Sequence, residues 1–107
     1  MNQERRGLRL LFTAAAEIAP QSSPRAVVAA NIVELSLQGC YVETPAPFAS
    51  ETPVFVKIFN SAEYFEAKAM VINVKPALGM GLAFRQVNPH FRAILQKWIL
   101  AALHDTI

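Results

Sequence analysis

Cysteine is nearly absent from this 107-residue chain, where Cys40 stands alone. A single cysteine excludes an internal disulfide and a cysteine-rich zinc site. Histidine is almost as scarce: His90 and His104 lie far apart and lack companion ligands in the sequence, so no metal-binding pair is legible. Charged residues make up only 17% of the chain and the net charge is +2, too little for a generic nucleic-acid binder without clustering. Long apolar runs are missing too. The longest, from Trp98 to Leu103, falls far short of the ~20 residues of a membrane-spanning helix. The N-terminus is polar and charged through Arg6, unlike a secretory signal. Ser36 has no glycine-flanked nucleophile elbow, and both histidines fall in a predicted helix. The expectation is a cytoplasmic protein in a reducing setting, not an enzyme, with no cofactor or metal.

What the chain does have is apolar residues, 53% of the total, enough for one modest core in a single domain spanning 1–107. Residues 1–7 are polar and charged and read as a flexible N-terminal arm. From Leu8 to Ala19 the residues Leu10, Phe12, Ala14, Ala16 and Ile18 fall on one face and Arg9, Leu11, Thr13 and Glu17 on the other, an imperfect alternation that predicts a strand in spite of the helix propensity of Ala14-Ala15-Ala16. Pro20 to Pro24 is a loop, and Arg25–Leu35, dense in valine and isoleucine, a second strand. A third strand is predicted over Cys40–Glu43. Pro45, Pro47 and Pro53 rule out a central strand or helix between Thr44 and Pro53. Val54–Phe59 and Tyr64–Val74 form the clearest hairpin, and Met80–Val87 is the sixth strand. Asn88-Pro89 then announces a helix, asparagine as N-cap and proline as first residue. Its apolar stripe is Phe91, Ile94, Leu95, Trp98, Ile99, Ala102 and Leu103. Six short strands and a terminal amphipathic helix predict a mainly β fold: a small six-stranded antiparallel barrel closed by one C-terminal α-helix.

The stretch Glu34-Leu35-Ser36-Leu37-Gln38-Gly39-Cys40-Tyr41-Val42 joins the second and third strands. Glu34 and Ser36 are two residues apart, so in an extended chain both side chains leave the same face. Gly39 sits where the chain can turn, since glycine reaches positive φ at little cost. Upstream, Arg5, Arg6 and Arg9 form the one tight cationic cluster. A carboxylate and a hydroxyl beside a turn can read the donor edge of a flat polar ligand.

These residues resemble the signature of the PilZ domain family. That signature has two arginines with three residues between them, matched by Arg5 and Arg9. It continues with Asp or Asn, any residue, Ser, two residues and Gly, matched by Ser36 and Gly39 with Glu34 in place of the Asp or Asn. Gly79-Met80-Gly81-Leu82-Ala83-Phe84 resembles the family's last barrel strand. The resemblance implies the same barrel and helix, and binding of cyclic di-GMP, a bacterial second messenger with two guanines and two phosphates. It assigns Arg5 and Arg9 to phosphate or the O6/N7 edge of guanine, where arginine's rigid fork makes two-point contacts. Arg6 adds charge. Glu34 and Ser36 face the guanine donors N1–H and N2–H₂, and Gly39 lets the backbone close on the ligand. A downstream protein partner is implied as well. The alternative is a domain of the same fold that binds no nucleotide and serves as a protein–protein interaction module.

Overall fold

The computed structural model describes residues 9–106. Six strands run in order: β1 (Leu10–Pro20), β2 (Val28–Leu35), β3 (Gly39–Glu43), β4 (Pro53–Asn60), β5 (Glu63–Lys75) and β6 (Gly79–Gln86); α1 (Pro89–Thr106) follows. All neighbouring strands are antiparallel, and the sheet closes in the order β1-β2-β3-β6-β5-β4. The barrel is two three-stranded meanders, β1–β2–β3 and β4–β5–β6, sewn together by β1–β4 and β3–β6. Closure leaves no free sheet edge, the state in which unpaired backbone groups invite aggregation.

The predicted alternation sets the two faces. Ala14, Ala16 and Ile18 of β1 are buried, as are Phe65, Ala67, Ala69 and Val71 of β5, while Thr13, Glu17, Glu66 and Lys68 are exposed. The alanines that favour a helix in isolation are therefore strand residues. The small side chains of Ala14 and Ala16 suit the inside of a narrow barrel, and tertiary packing overrides local propensity. The largest boundary difference from the sequence reading is at the start of β2. Arg25–Val27 does not belong to β2, because Ser23 N–H donates to the Pro20 carbonyl and Ala26 N–H to that of Ser23. Two successive turns use the backbone groups that a ladder needs, so β2 begins at Val28.

Between the two meanders, the proline-rich segment is tied down by its backbone. Thr44 N–H donates to the Leu78 carbonyl and Val71 N–H to that of Thr52. Pro53 opens β4, a position where the missing N–H costs no ladder bond.

The closing seam between β3 and β6 rests on Gly39. Gly39 opposes Ala83 in register, and a Cβ built on it stands 2.1 Å from the Leu82 carbonyl oxygen. The sequence reading assigned this glycine to a positive-φ turn. The φ of Gly39 lies outside that region, and what requires glycine is the close approach of two backbones.

The helix begins as predicted, with the Asn88 side chain accepting from His90 N–H at 2.8 Å. Its apolar stripe closes one mouth of the barrel. Leu95 and Trp98 are buried, and Trp98 stacks on Phe12 with ring centroids 5.7 Å apart and lies 6.5 Å from the inward-facing Phe65. The Trp98 indole N–H donates to Glu63 Oε1 at 3.1 Å, and Lys97 pairs with the other oxygen of that carboxylate. The Lys97 hydrogen bond, then that from Trp98, hold the Glu63 carboxyl below its usual value. This anchor of helix to hairpin is thus complete at neutral pH, and fades as pH falls through that lowered value.

Three outcomes follow from this packing. Trp98→Ala removes the mouth plug and should cost ~3–5 kcal/mol in denaturant unfolding, the range for large core truncations; a loss within about 0.5 kcal/mol, as for an ordinary surface change, would mean the helix is not part of the core. Gly39→Ala should destabilise by at least ~1–3 kcal/mol, as overpacking does, because the atom it meets is backbone. An unchanged melting temperature would refute that seam. Cys40 lies inside the barrel, and burial pushes its thiol up to about 12. Native protein at pH 8 should therefore resist a thiol reagent that labels the chain rapidly once it is unfolded in urea.

Candidate functional site

A cleft of about 760 Å³ opens on the outer face of β2, β3, β6 and β5. Two bulges shape it. Ile32 opposes Val42 and Glu34 opposes Tyr41, so Val33 is an extra residue in β2. Across the cleft, Val71 opposes Leu82 and Asn73 opposes Gly81, which makes Ile72 the extra residue in β5. A bulged strand bends, and here both flanking strands are bulged while β3 and β6 lie between them as the floor. That floor is low. Gly39, Gly81 and Ala83 line it, and a Cβ on Gly81 would stand 2.9 Å from Asn73 Oδ1.

The β2 bulge also decides which way Glu34 points. Strict alternation from the buried Ile32 would send Glu34 into the barrel beside it. The extra residue restores Glu34 to the outer face opposite Tyr41 and turns Leu35 inward against Cys40. Glu34 then meets Arg9, whose Nη1 lies 3.5 Å from Glu34 Oε1, with the two side chains 72% and 41% exposed. An ion pair this open to water contributes about 0–1 kcal/mol, so a ligand can displace it at little cost.

Ser36 takes a different part from the one its spacing predicts. It is the first residue past β2 and is buried. Its Oγ accepts from Gln38 N–H at 3.2 Å and Gly39 N–H at 3.1 Å, and donates to the Gly39 carbonyl at 3.2 Å. Ser36 N–H donates to that same carbonyl. A hydroxyl offers one donor and two acceptor lone pairs, and all three are engaged within the turn. Glu34 and Ser36 thus line one cleft without presenting a shared face: the carboxylate stands in the opening and the hydroxyl braces the loop. The Gln38 carbonyl completes the brace by accepting from Phe84 N–H at 2.8 Å.

Of the sequence-predicted residues, the structure brings Arg9, Glu34, Ser36 and Gly39 to one cleft. Arg5 and Arg6, with the rest of the predicted arm, lie outside the described residues. Sequence reasoning missed Tyr41 of the floor strand β3, and Asn73 and Lys75 of the β5 wall. Lys75 Nζ stands 5.3 Å from the centre of the Tyr41 ring, within cation–π range. The available signal was Tyr41 itself, an aromatic on the outward phase of a strand whose Cys40 and Val42 face in. Asn73 and Lys75 gave none, because the Ile72 bulge that aims them is a tertiary feature. Among the described residues, no group of three or more histidine, cysteine, aspartate or glutamate side chains is placed to hold a metal ion. No described helix is long and apolar enough to cross a membrane.

Comparison with known proteins adds to this geometry. No curated protein matches the sequence. Solved structures do match in fold. The PilZ domain of CeSA from a cellulose-synthesizing bacterium is 20% identical with a TM-score of 0.68, covering 88% of this chain and 96% of its own. The PilZ domain of Escherichia coli YcgR, solved with c-di-GMP, is 16% identical with a TM-score of 0.79, covering 97% and 95%. The Bacillus subtilis inhibitor of motility MotI/DgrA is also 16% identical, with a TM-score of 0.80 over 97% of this chain, which spans 53% of that longer protein. The PilZ domain family model matches residues 3–101. With its closed six-stranded barrel and capping helix, this chain belongs to the PilZ domain family.

Proposed function

We propose that this PilZ domain is a receptor module for cyclic di-GMP that acts in bacterial signal transduction in the cytoplasm, and that it binds the nucleotide in the cleft of β2, β3, β6 and β5. PilZ domains are regulatory and binding modules, and the fold relative from E. coli YcgR is described with this ligand. The observation that carries the reading is the Arg9–Glu34 pair at the opening of that cleft, beside the turn braced by Ser36. Arg9, joined by Arg5 and Arg6 of the N-terminal segment, supplies charged two-point contacts to phosphate oxygens or the O6/N7 edge of guanine. Glu34 supplies acceptors for guanine N1–H and N2–H₂. In this reading Ser36 and Gly39 serve the ligand by shape. The hydroxyl holds the turn closed, and the glycine keeps the floor low enough for the base to approach.

Glu34 has a second role before the ligand arrives. Its carboxylate occupies the guanidinium of Arg9, and binding exchanges that exposed pair for contacts to the nucleotide. In this reading the extra methylene relative to aspartate carries the carboxylate toward Arg9. Shortening it therefore frees the arginine and draws the acceptor back toward the strand.

Isothermal calorimetry with cyclic di-GMP tests the reading. The parent should bind, and Arg9→Ala should weaken binding by ~1.5–3 kcal/mol, as for hydrogen bonds to charged groups. Arg92→Ala, outside the cleft, should change affinity by no more than about 0.5 kcal/mol. Glu34→Asp should tighten binding by about 1 kcal/mol, the net worth of one well-formed hydrogen bond. Equal losses in the two arginine variants would point to unspecific charge attraction. Absence of heat in both the parent and Glu34→Asp would overturn the receptor reading and leave the protein-interaction module.

A further inference from the structure

A second cavity, about 860 Å³, lies where β1, β4 and β5 meet the segment that leads into α1. It shares no lining residue with the nucleotide cleft. Its apolar surface includes Val27, Phe55, Val87 and Phe91, with Val27 52% and Phe55 38% exposed. Charge on the rim is unbalanced. Lys57, Lys68, Arg85 and Arg92 stand against Glu17 and Glu66, and Glu66 is already engaged by Lys57 at 3.8 Å. In register, Glu17 also opposes Lys57. Lys68, Arg85 and Arg92 form no ion pair among the described residues. Four cations against two carboxylates thus leave an excess of two positive charges around an open apolar surface.

We propose that this groove is a docking site for an acidic segment of a partner protein, one that carries apolar side chains between its carboxylates. The apolar floor buries the hydrophobic side chains, and Lys68, Arg85 and Arg92 meet the carboxylates. Complementary charge of this kind steers association and rejects wrong partners. The composition argues against a polyphosphate or nucleic-acid occupant. Glu17 and Glu66 on the rim, with only Lys57 shared between them, disfavour a uniform polyanion, and a phosphate backbone has nothing to place on Phe55 and Val27. The docking site is independent of the nucleotide reading, and the two clefts use different stretches of the same strands. On β5 the groove takes Glu66–Lys68 and the nucleotide cleft Ile72–Lys75; on β6 they take Arg85–Gln86 and Gly81–Ala83.

The test is a titration of the ¹⁵N-labelled full chain, followed by amide chemical shifts. The probe is a short synthetic peptide that alternates glutamate pairs with leucine and phenylalanine. Controls are the same peptide with lysine for every glutamate, and inorganic polyphosphate. The acidic peptide should shift amides of residues 55–57, 66–68 and 85–92, and rising salt should weaken it because exposed charges are screened. The double variant Lys68→Glu/Arg92→Glu, on two exposed positions, should bind about tenfold or more weakly, as loss of rim and paired charges does. Its unchanged melting temperature would show that the fold is intact. No shifts at millimolar peptide, shifts confined to other surfaces, or equal binding of the lysine peptide would each overturn the proposal. So would polyphosphate shifting the same amides more strongly than the peptide.

Discussion

Closing the barrel requires β3 and β6, which are distant in sequence, to approach so nearly that no side chain fits at Gly39. A Cβ there would meet the Leu82 carbonyl at 2.1 Å. The meander β1–β2–β3 and the meander β4–β5–β6 each form from local hairpins, but neither buries its inner face alone. Only the seams β3–β6 and β1–β4 turn them into one core, in which Ile18, Ile32, Val56, Ile58, Phe65 and Leu82 are almost wholly removed from water. Burial of this order supplies most of the favourable free energy of folding. The helix then covers the mouth that closure leaves open, with Trp98 set between Phe12 and Phe65.

The same seam makes the floor of the candidate site. Because β3 and β6 meet at small residues, the outer face between them is shallow, and bulges at Val33 and Ile72 raise walls on either side. The turn that Ser36 braces ends at Gly39, so the geometry of closure and the geometry of the cleft are fixed by one loop. A change at Gly39 reaches both the barrel seam and the floor of the cleft through one contact. By contrast, Arg9 and Glu34 stand in water and contribute little to folding. Neither side chain is committed to the core.

The outside of the molecule divides chemically. One face holds the cleft with its exposed Arg9–Glu34 pair; another holds an apolar groove with cations in excess. Both draw on β5 and β6, whose ladder contains register shifts at Lys68/Ala69 and Val71/Asn73. Each shift lies beside one of the two cavities. Irregular pairing of this kind bends a strand locally, and it gives one pair of strands two differently shaped surfaces.

The sequence by itself determined the elements. Alternation in β1 and β5, the prolines after Thr44 and the Asn88-Pro89 cap are local signals, read through side-chain period and backbone restriction, and six strands with one helix follow from them. The resemblance to the PilZ signature pointed to Arg9, Glu34, Ser36 and Gly39 before any geometry was available, and the structure brings these four to one cleft. Local signals could not reveal the bulge at Val33, since an extra residue is defined only against a partner strand. Without it Glu34 would face the core. Nor could they tell that Ser36 spends its hydroxyl within the turn, or that Gly39 is demanded by Leu82 across the seam and not by its own φ. Tyr41, Asn73 and Lys75 came to line one cleft only when β3 and β5 were set around β6. Sequence period assigns a face to each residue, whereas a site is a relation between strands, and that relation was decided by closure of the barrel.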